Sequence, residues 1–344
     1  MRPLLPRAVR VEFERVDRSV QTGAWAKPIH PEVGTVSGAL GPISREAVFL
    51  VNPASDGGAT GKRWPEIARL AADRGLIGDA LLSEEPAHLV ELAREAAKDG
   101  GRLLVAVGGD GTVNEIVNGI AGIDGVELAI VHRGTGGDFV RTFGIPRNLK
   151  AALEVAHTGQ SREVDLGRAS LRTWDGRETV TWFANIASAG MSGAVAKRVN
   201  ETGKALGGKV SYEWSTFAVF ARWRNAQITV SVGDEERTGA MYDVVVANGR
   251  YFGGGMKICP DADPADGLFD VLLIGDVTKR DLVLTLPKIY RGTHLPHPKA
   301  ELLRGPQVTI KAPIPLPVEL DGEQPGTTPA SFEIVPRSLR LRVP

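Results

Sequence analysis

The sequence predicts two domains, an α/β domain built on a parallel sheet and then a second, mainly antiparallel β domain. Two observations carry this. Between residues 47 and 131, short apolar runs alternate with stretches of helical periodicity, the grammar of parallel βαβ units covered by helices on both faces. Near residue 160 the alternation stops, and strand-like runs take over, punctuated by turn dipeptides such as Asp175-Gly176 and Asn248-Gly249.

Taken in order, "AVFLV" (47–51) reads as the first strand, Ile67 to Ala72 as a short helix and "LIGDALL" (76–82) as the second strand. Residues 86–98 read as a helix capped at Ser83 or nearby. Strand 102–107, helix 112–121 and strand 126–131 follow. In the second domain, expected to begin near residue 163, "VDLGRASL", "TVTWFANIAS", "QITVSV", "MYDVVVAN" and "LFDVLLIG" read as strands, and one helical stretch at about 191–224 interrupts them. Residues 278–292 are expected to be helical, and the Pro-rich "KAPIPLPVEL" leads to a closing strand around 331–343. Residues 1–45 lack the apolar segment of a secretory signal and are expected to form a disordered leader.

Composition bounds the function. With 344 residues the chain can bury two cores, and 41 basic against 41 acidic side chains leave no global field to recruit nucleic acid. The single Cys259 excludes an intramolecular disulfide and a cysteine-rich zinc cluster and favours a reducing compartment. No stretch approaches the roughly eighteen apolar residues of a spanning helix. The expectation is a cytoplasmic protein that touches membranes only from outside. Residues 279–311 hold seven Lys or Arg against two acids, a solvated face by default and a contact for anionic lipid headgroups in the sharper reading.

One stretch asks for a ligand. In "VAVGGDGTVNEIVNGI" (105–120), the buried-type run Leu103, Leu104, Val105 and Val107 precedes Gly-Gly-Asp-Gly-Thr, and Val113, Ile116, Val117 and Ile120 then keep helical spacing. A strand, a tight loop and a helix start place unpaired N–H groups and a bare aspartate where a phosphate would bind. A second loop, "HRGTGGDFVRTFGIP" (132–146), follows the next strand, with Thr135 expected to touch the same ligand and Asp138 to cap the short helix 139–143. "NPASDGGATGK" (52–62) is no P-loop, because three residues separate Gly57 from Gly61 and Arg63 replaces the hydroxyl. "GTGGDF" fails the dinucleotide fingerprint at Phe139.

In "CPDADPADGLFDV" (259–271), Asp266 is one position late for an EF-hand and Leu272 occupies the closing Glu position, so the turn is either a site for one hard cation or a solvated acidic turn. "VELDGEQPG" (318–326) sets Asp321 and Glu323 two apart. On an extended segment they would face the same way, one orienting and the other accepting a proton, although Asp-Gly-Glu is also an ordinary hairpin turn.

In order, "NPASDGG", "GGDGTVNE", "GTGGDF", "NGRYFGGG", "PDADPADGLFDV" and "LDGE" resemble the diacylglycerol kinase catalytic family, which includes sphingosine kinases and bacterial lipid kinases, over about residues 47–344. GGDGT alone is shared with NAD kinases and 6-phosphofructokinases. The resemblance implies an α/β ATP-binding domain of residues 46–162 and 326–344, and a β-sandwich lipid-binding domain of 163–325. It also implies ATP as co-substrate, Mg2+, and a lipid acceptor met by peripheral contact with a membrane. By matching position, Gly108, Gly109, Asp110, Gly111, Thr112, Val113 and Asn114 resemble the loop that binds the ATP phosphates, with Thr135 and Ser83 as further contacts and Asn52 shaping the pocket. Asp263, Asp266 and the Leu268 carbonyl match the family's structural magnesium site. Glu323 resembles the proton acceptor with Asp321 beside it, and Asp110 the essential acid that organises magnesium. One departure stands out: where the family has Gly-Thr-x-Asn-Asp, this chain has Gly137 in place of the Asn.

Two competing readings fit parts of the pattern. GGDGT alone suits a soluble-substrate kinase of NAD kinase type, and Gly137 suits a non-catalytic lipid- or nucleotide-binding regulator. Paired sheets with exposed edges make a homodimer a reasonable expectation.

Overall fold

Strands β1 (Val48–Val51), β2 (Asp79–Leu82), β3 (Leu103–Gly108) and β4 (Glu127–His132) form a parallel sheet in the order β2-β1-β3-β4. The structure is a computed structural model that describes residues 47–202, 219–220 and 222–344; the expected leader 1–45 and most of 203–224 lie outside or at the edge of the described residues. Alternation along each strand decides which helices cover it. Val48, Leu50, Leu104 and Ala106 face α2 (His88–Lys98) and α3 (Asp110–Ile120). Phe49, Val51, Val105 and Val107 face α1 (Ala59–Ala72), and α5 (Leu149–Thr158) covers the same side; the short α4 (Asp138–Thr142) precedes it. Both faces are therefore apolar, as the near-continuous hydrophobic runs required.

The second half is antiparallel. It comprises β5 (Gln160–Arg172), β6 (Glu178–Phe183), β7 (Ile186–Gly190), β8 (Ala226–Val232), β9 (Glu235–Met241), β10 (Asp243–Ala247), β11 (Phe269–Ile274), β12 (Ala300–Gly305), β13 (Gln307–Lys311), β14 (Pro317–Leu320) and β15 (Glu323–Val343). Helices α6 (Met191–Thr202) and α7 (Lys279–Arg291) flank it. One path runs β12-β11-β10-β7-β14-β15, while β5, β6, β8, β9 and β13 branch from it. Between the layers Phe183 stacks on Phe269 at 5.7 Å and meets Phe332 edge-on at 6.0 Å. A Cβ on Gly167 would lie 2.2 Å from the Phe183 ring, so only glycine fits under it.

β15 ties the halves together. Its body pairs with β5, β13 and β14, and its end, at Arg340 and Leu341, lies parallel to β4 at Glu127 and Leu128. Arg340 and Arg342 both reach Glu127 there, at 3.2 and 2.7 Å.

Several expectations change. Helix α1 begins at Ala59, eight residues before Ile67, because Gly57 and Gly58 adopt left-handed angles (φ 63° and 84°) that turn the chain directly into it, and Pro65 is tolerated inside. Ser83 does not cap α2. Ala87 precedes that helix in a left-handed conformation without a side-chain cap, and the Leu89 N–H of the first turn donates instead to Glu115 of α3 at 3.2 Å. Strands β9, β12 and β13 are additions, and the closing strand starts at Glu323 rather than near 331.

Candidate active site

All four parallel strands end at one edge, where a helix-covered sheet presents its ligands. After β1, the Asn52 amide donates to the Thr112 hydroxyl at 3.2 Å and its carbonyl accepts from Ala54 N at 3.1 Å. After β2, Ser83 N donates to Val51 O at 2.9 Å, which fixes Ser83 at the same edge. After β3, Gly108 is obligatory because a Cβ there would lie 2.2 Å from the buried Thr112 hydroxyl. Gly109 then leads into α3, whose first residue is Asp110, and Val113 faces the core.

The two glycine loops pack backbone against backbone. Arg133 N donates to Gly108 O at 2.6 Å, and a Cβ on Gly134 would reach the Gly109 Cα at 3.1 Å. Gly137 N donates to Asp110 Oδ2 at 2.7 Å, and a Cβ on Gly136 would collide with that oxygen. The other carboxylate oxygen, Asp110 Oδ1, is buried and has no hydrogen-bond partner. A buried acceptor left open at a helix N-terminus fits a hard cation or a donor brought by a ligand. The departure at Gly137 has its own logic: the residue sits at φ 80° and supplies the loop contact through its backbone rather than a side chain. Thr135 is exposed at the rim.

His132 belongs to none of the sites read from the sequence. Its buried ring lies beneath the loops, with Nε2 3.2 Å from Gly134 O; burial lowers its pKa, against the opposing pull of Asp110. The available signal was its place as the last residue of a buried strand before a glycine loop.

Asp138 does not cap α4. Gly137 holds that position without a side-chain bond, and the Asp138 carboxylate turns away to accept from Arg141 at 2.6 Å and from Gly254 N at 2.7 Å. It thereby fastens the second loop to the "NGRYFGGG" segment, where Arg250 N also donates to the Thr142 hydroxyl at 3.1 Å.

The β half supplies the opposite wall. Asn114 and Asn118, one helical turn apart on α3, face it: Asn114 donates to Asp321 Oδ2 at 3.2 Å, and Asn118 Oδ1 accepts from Trp182 N at 2.9 Å. Asp321 also accepts from Ala184 N at 2.8 Å, Asn185 N at 2.9 Å and Ile186 N at 3.0 Å. Burial raises its pKa while these bonds pull it down. The segment is not extended, because Asp321 (φ 50°) and Gly322 (φ 93°) form a turn, so Asp321 and Glu323 do not share a direction. Glu323 is exposed on the loop side, and a Cβ on Gly111 would lie 3.6 Å from its Oε1.

In the acidic turn 261–270 the carboxylates expected to hold a cation are ion-paired. Asp263 pairs with Arg162 at 2.9 Å, and Asp266 pairs with Arg304, which also reaches Asp270 at 2.9 Å. Leu268 N donates to Asp266 Oδ1 at 3.0 Å. Guanidinium groups from β5 and β12 thus supply neutralising charge at this turn. Among the described residues, no group of three His, Cys, Asp or Glu side chains is placed to hold a metal. No described helix is long and apolar enough to cross a membrane.

Comparison with known proteins follows the same division. The diacylglycerol kinase catalytic domain matches residues 46–169, and the YegS C-terminal NAD kinase beta sandwich-like domain matches residues 185–343. A diacylglycerol kinase of Mycobacterium tuberculosis is 30% identical over 298 residues, covering 86% of this chain and 94% of the relative. That of Staphylococcus carnosus is 24% identical, covering 88% and 96%. The crystal structure of a diacylglycerol kinase from Bacillus anthracis shares the fold with a TM-score of 0.65 at 19% identity, covering 87% of this chain and 97% of that one. With the two domain matches lying side by side along the chain and a 30% identical relative covered almost end to end, this protein belongs to the diacylglycerol kinase catalytic family.

Proposed function

We propose that the chain is an ATP-dependent lipid kinase that transfers the γ-phosphate of ATP to the hydroxyl of diacylglycerol or a related lipid. The observation that carries this is the open, buried Oδ1 of Asp110 at the start of α3, set across Gly111 from the exposed Glu323. Phosphoryl transfer asks a protein mainly for positioning, charge neutralisation and a base for the attacking hydroxyl, and the two acids divide that work.

In this reading the N–H groups at the start of α3, over Gly109 to Thr112, receive the phosphates, Val113 N being committed to Gly109 O at 3.2 Å, with Asn52, Ser83 and Thr135 lining the nucleotide pocket. Asp110 would hold Mg2+, which when bound offsets the phosphate charge. Asn114 and Asp321 fix the turn that presents Glu323. The lipid hydroxyl loses its proton to Glu323 as its oxygen forms the new bond to the γ-phosphorus, and the bond from that phosphorus to the β,γ-bridging oxygen breaks to release ADP. We assign nucleotide binding to residues 46–162 with 326–344 and lipid binding to 163–325. The protein would work from the cytoplasm in peripheral contact with a membrane.

The test is transfer of labelled γ-phosphate, with magnesium, to diacylglycerol, monoacylglycerol, sphingosine, ceramide and phosphatidylglycerol in mixed micelles, with NAD as the soluble control. One labelled lipid is expected, with turnover reduced about a hundredfold or more in Glu323→Gln. Labelled NAD, or folded protein that binds ATP and labels nothing, would overturn the reading.

A further inference from the structure

Most helices of this protein bury an apolar face fully, whereas α7 only rests the half-buried Ile289 against the core of the β half. None of its residues is fully buried. Of the eight large apolar side chains exposed among the described residues, four belong to this one helix: Val283, Leu284, Leu286 and Tyr290, each 45–64% exposed. Val283, Leu286 and Tyr290 recur at i, i+3 and i+7 and form one outward stripe. Arg280, Lys288 and Arg291 are exposed along the same helix, on the Leu284 side of that stripe. The single acid of the helix, Asp281, is already committed to the Thr278 capping box and to Lys299 at 3.1 Å.

An apolar stripe facing water and bordered by cations is the pattern of a helix that lies in a membrane interface, with its apolar side chains among the acyl chains and its bases at the headgroups. We infer that α7 docks this protein on an anionic phospholipid surface through Val283, Leu284, Leu286 and Tyr290, with Arg280, Lys288 and Arg291 pairing with headgroup phosphates. The placement also serves the site. Lys257 N donates to Ile289 O of α7 at 3.1 Å, and the same loop reaches the second glycine loop where Gly254 N donates to Asp138 at 2.7 Å. In purpose the inference rests on the lipid-kinase reading, since docking there would bring lipid to the segment bordering the cleft.

The experiment is co-sedimentation of the full chain with vesicles of phosphatidylcholine alone and of phosphatidylcholine mixed with phosphatidylglycerol. Two double variants accompany it, Val283→Asp with Leu284→Asp and Lys288→Glu with Arg291→Glu. Selective binding to the anionic vesicles, weakened by salt, is expected. Each variant should lower it about twentyfold or more, the charge-reversal variant at about fivefold per basic side chain removed, while the urea unfolding midpoint stays that of the parent chain. Sedimentation equal to the parent chain in both variants, or a parent chain indifferent to anionic vesicles, would overturn the inference. So would a concentration-dependent dimer that the aspartate variant abolishes without altering vesicle binding. Vesicle binding is read without turnover, so a failed kinase assay beside successful sedimentation would reject the enzymatic reading and leave the docking surface standing.

Discussion

Asp110 and Asp321 both precede a glycine and line the same cleft, yet the structure treats them oppositely. Asp321 receives four donors, three of them backbone N–H groups of residues 184–186. Asp110 receives Gly137 N on one oxygen and leaves the other buried and open. A saturated carboxylate is a structural clamp, because its capacity is spent inside the protein. A carboxylate with an open buried oxygen carries a desolvation cost that only a ligand can offset. The acids of the turn 261–270 form a third case, in which arginines rather than amides supply the compensation.

This contrast is broken most sharply by Asp110→Asn. Asparagine can still accept from Gly137 N, and removing the charge relieves the repulsion that Asp110 exerts on the buried Asp138. Turnover in the lipid kinase assay should fall about a thousandfold, while the urea midpoint stays unchanged or rises. A large loss of stability would place Asp110 with the structural acids.

Asp321→Ala should show the reverse order of effects. It strands three backbone N–H groups and the Asn114 amide, at a cost of about 3 kcal/mol or more in urea unfolding. Activity should fall as well, because the turn carrying Glu323 loses its anchor, but the stability change is the diagnostic. A variant as stable as the parent chain would remove Asp321 from the clamp.

How much of this was legible beforehand follows from burial. Strands β1, β3 and β4 are buried on both faces, so their apolar runs announced them, and the three glycines around Asp110 announced the loop. β9, β12 and β13 stayed hidden because they are half-exposed and polar, with side chains such as Glu235, Arg237, Arg304 and Gln307 interrupting the pattern. Asp321 and Glu323 were visible as a pair, with an extended segment and a hairpin turn both open; the structure takes the turn, and the left-handed angle at Asp321 sends the two side chains different ways. The arginine partners of Asp263 and Asp266 come from residues 101 and 38 positions away, which no local spacing reveals.

The finest test concerns the acid behind the turn. Glu319 is buried on β14, where it accepts from the Ser188 hydroxyl at 2.8 Å and from Gly322 N, the residue between Asp321 and Glu323. Burial pushes its pKa from the ordinary 4.5 up to about 8. The folded chain therefore keeps a proton that the unfolded chain releases above pH 4.5, so this contribution to stability is complete below that value and is lost as pH rises through about 8. Asp243, raised to about 7, adds a slope of the same sign at lower pH, so the parent curve alone does not isolate Glu319. Comparison with Glu319→Gln does, because glutamine preserves the acceptor for Gly322 N and cannot titrate. The stability of the parent chain relative to this variant should decline by about 1.4 kcal/mol per pH unit between pH 5 and 8 and level off above. A difference independent of pH would mean that Glu319 is charged in the folded chain, placing it with Asp321 as a second anionic clamp on the turn that presents Glu323.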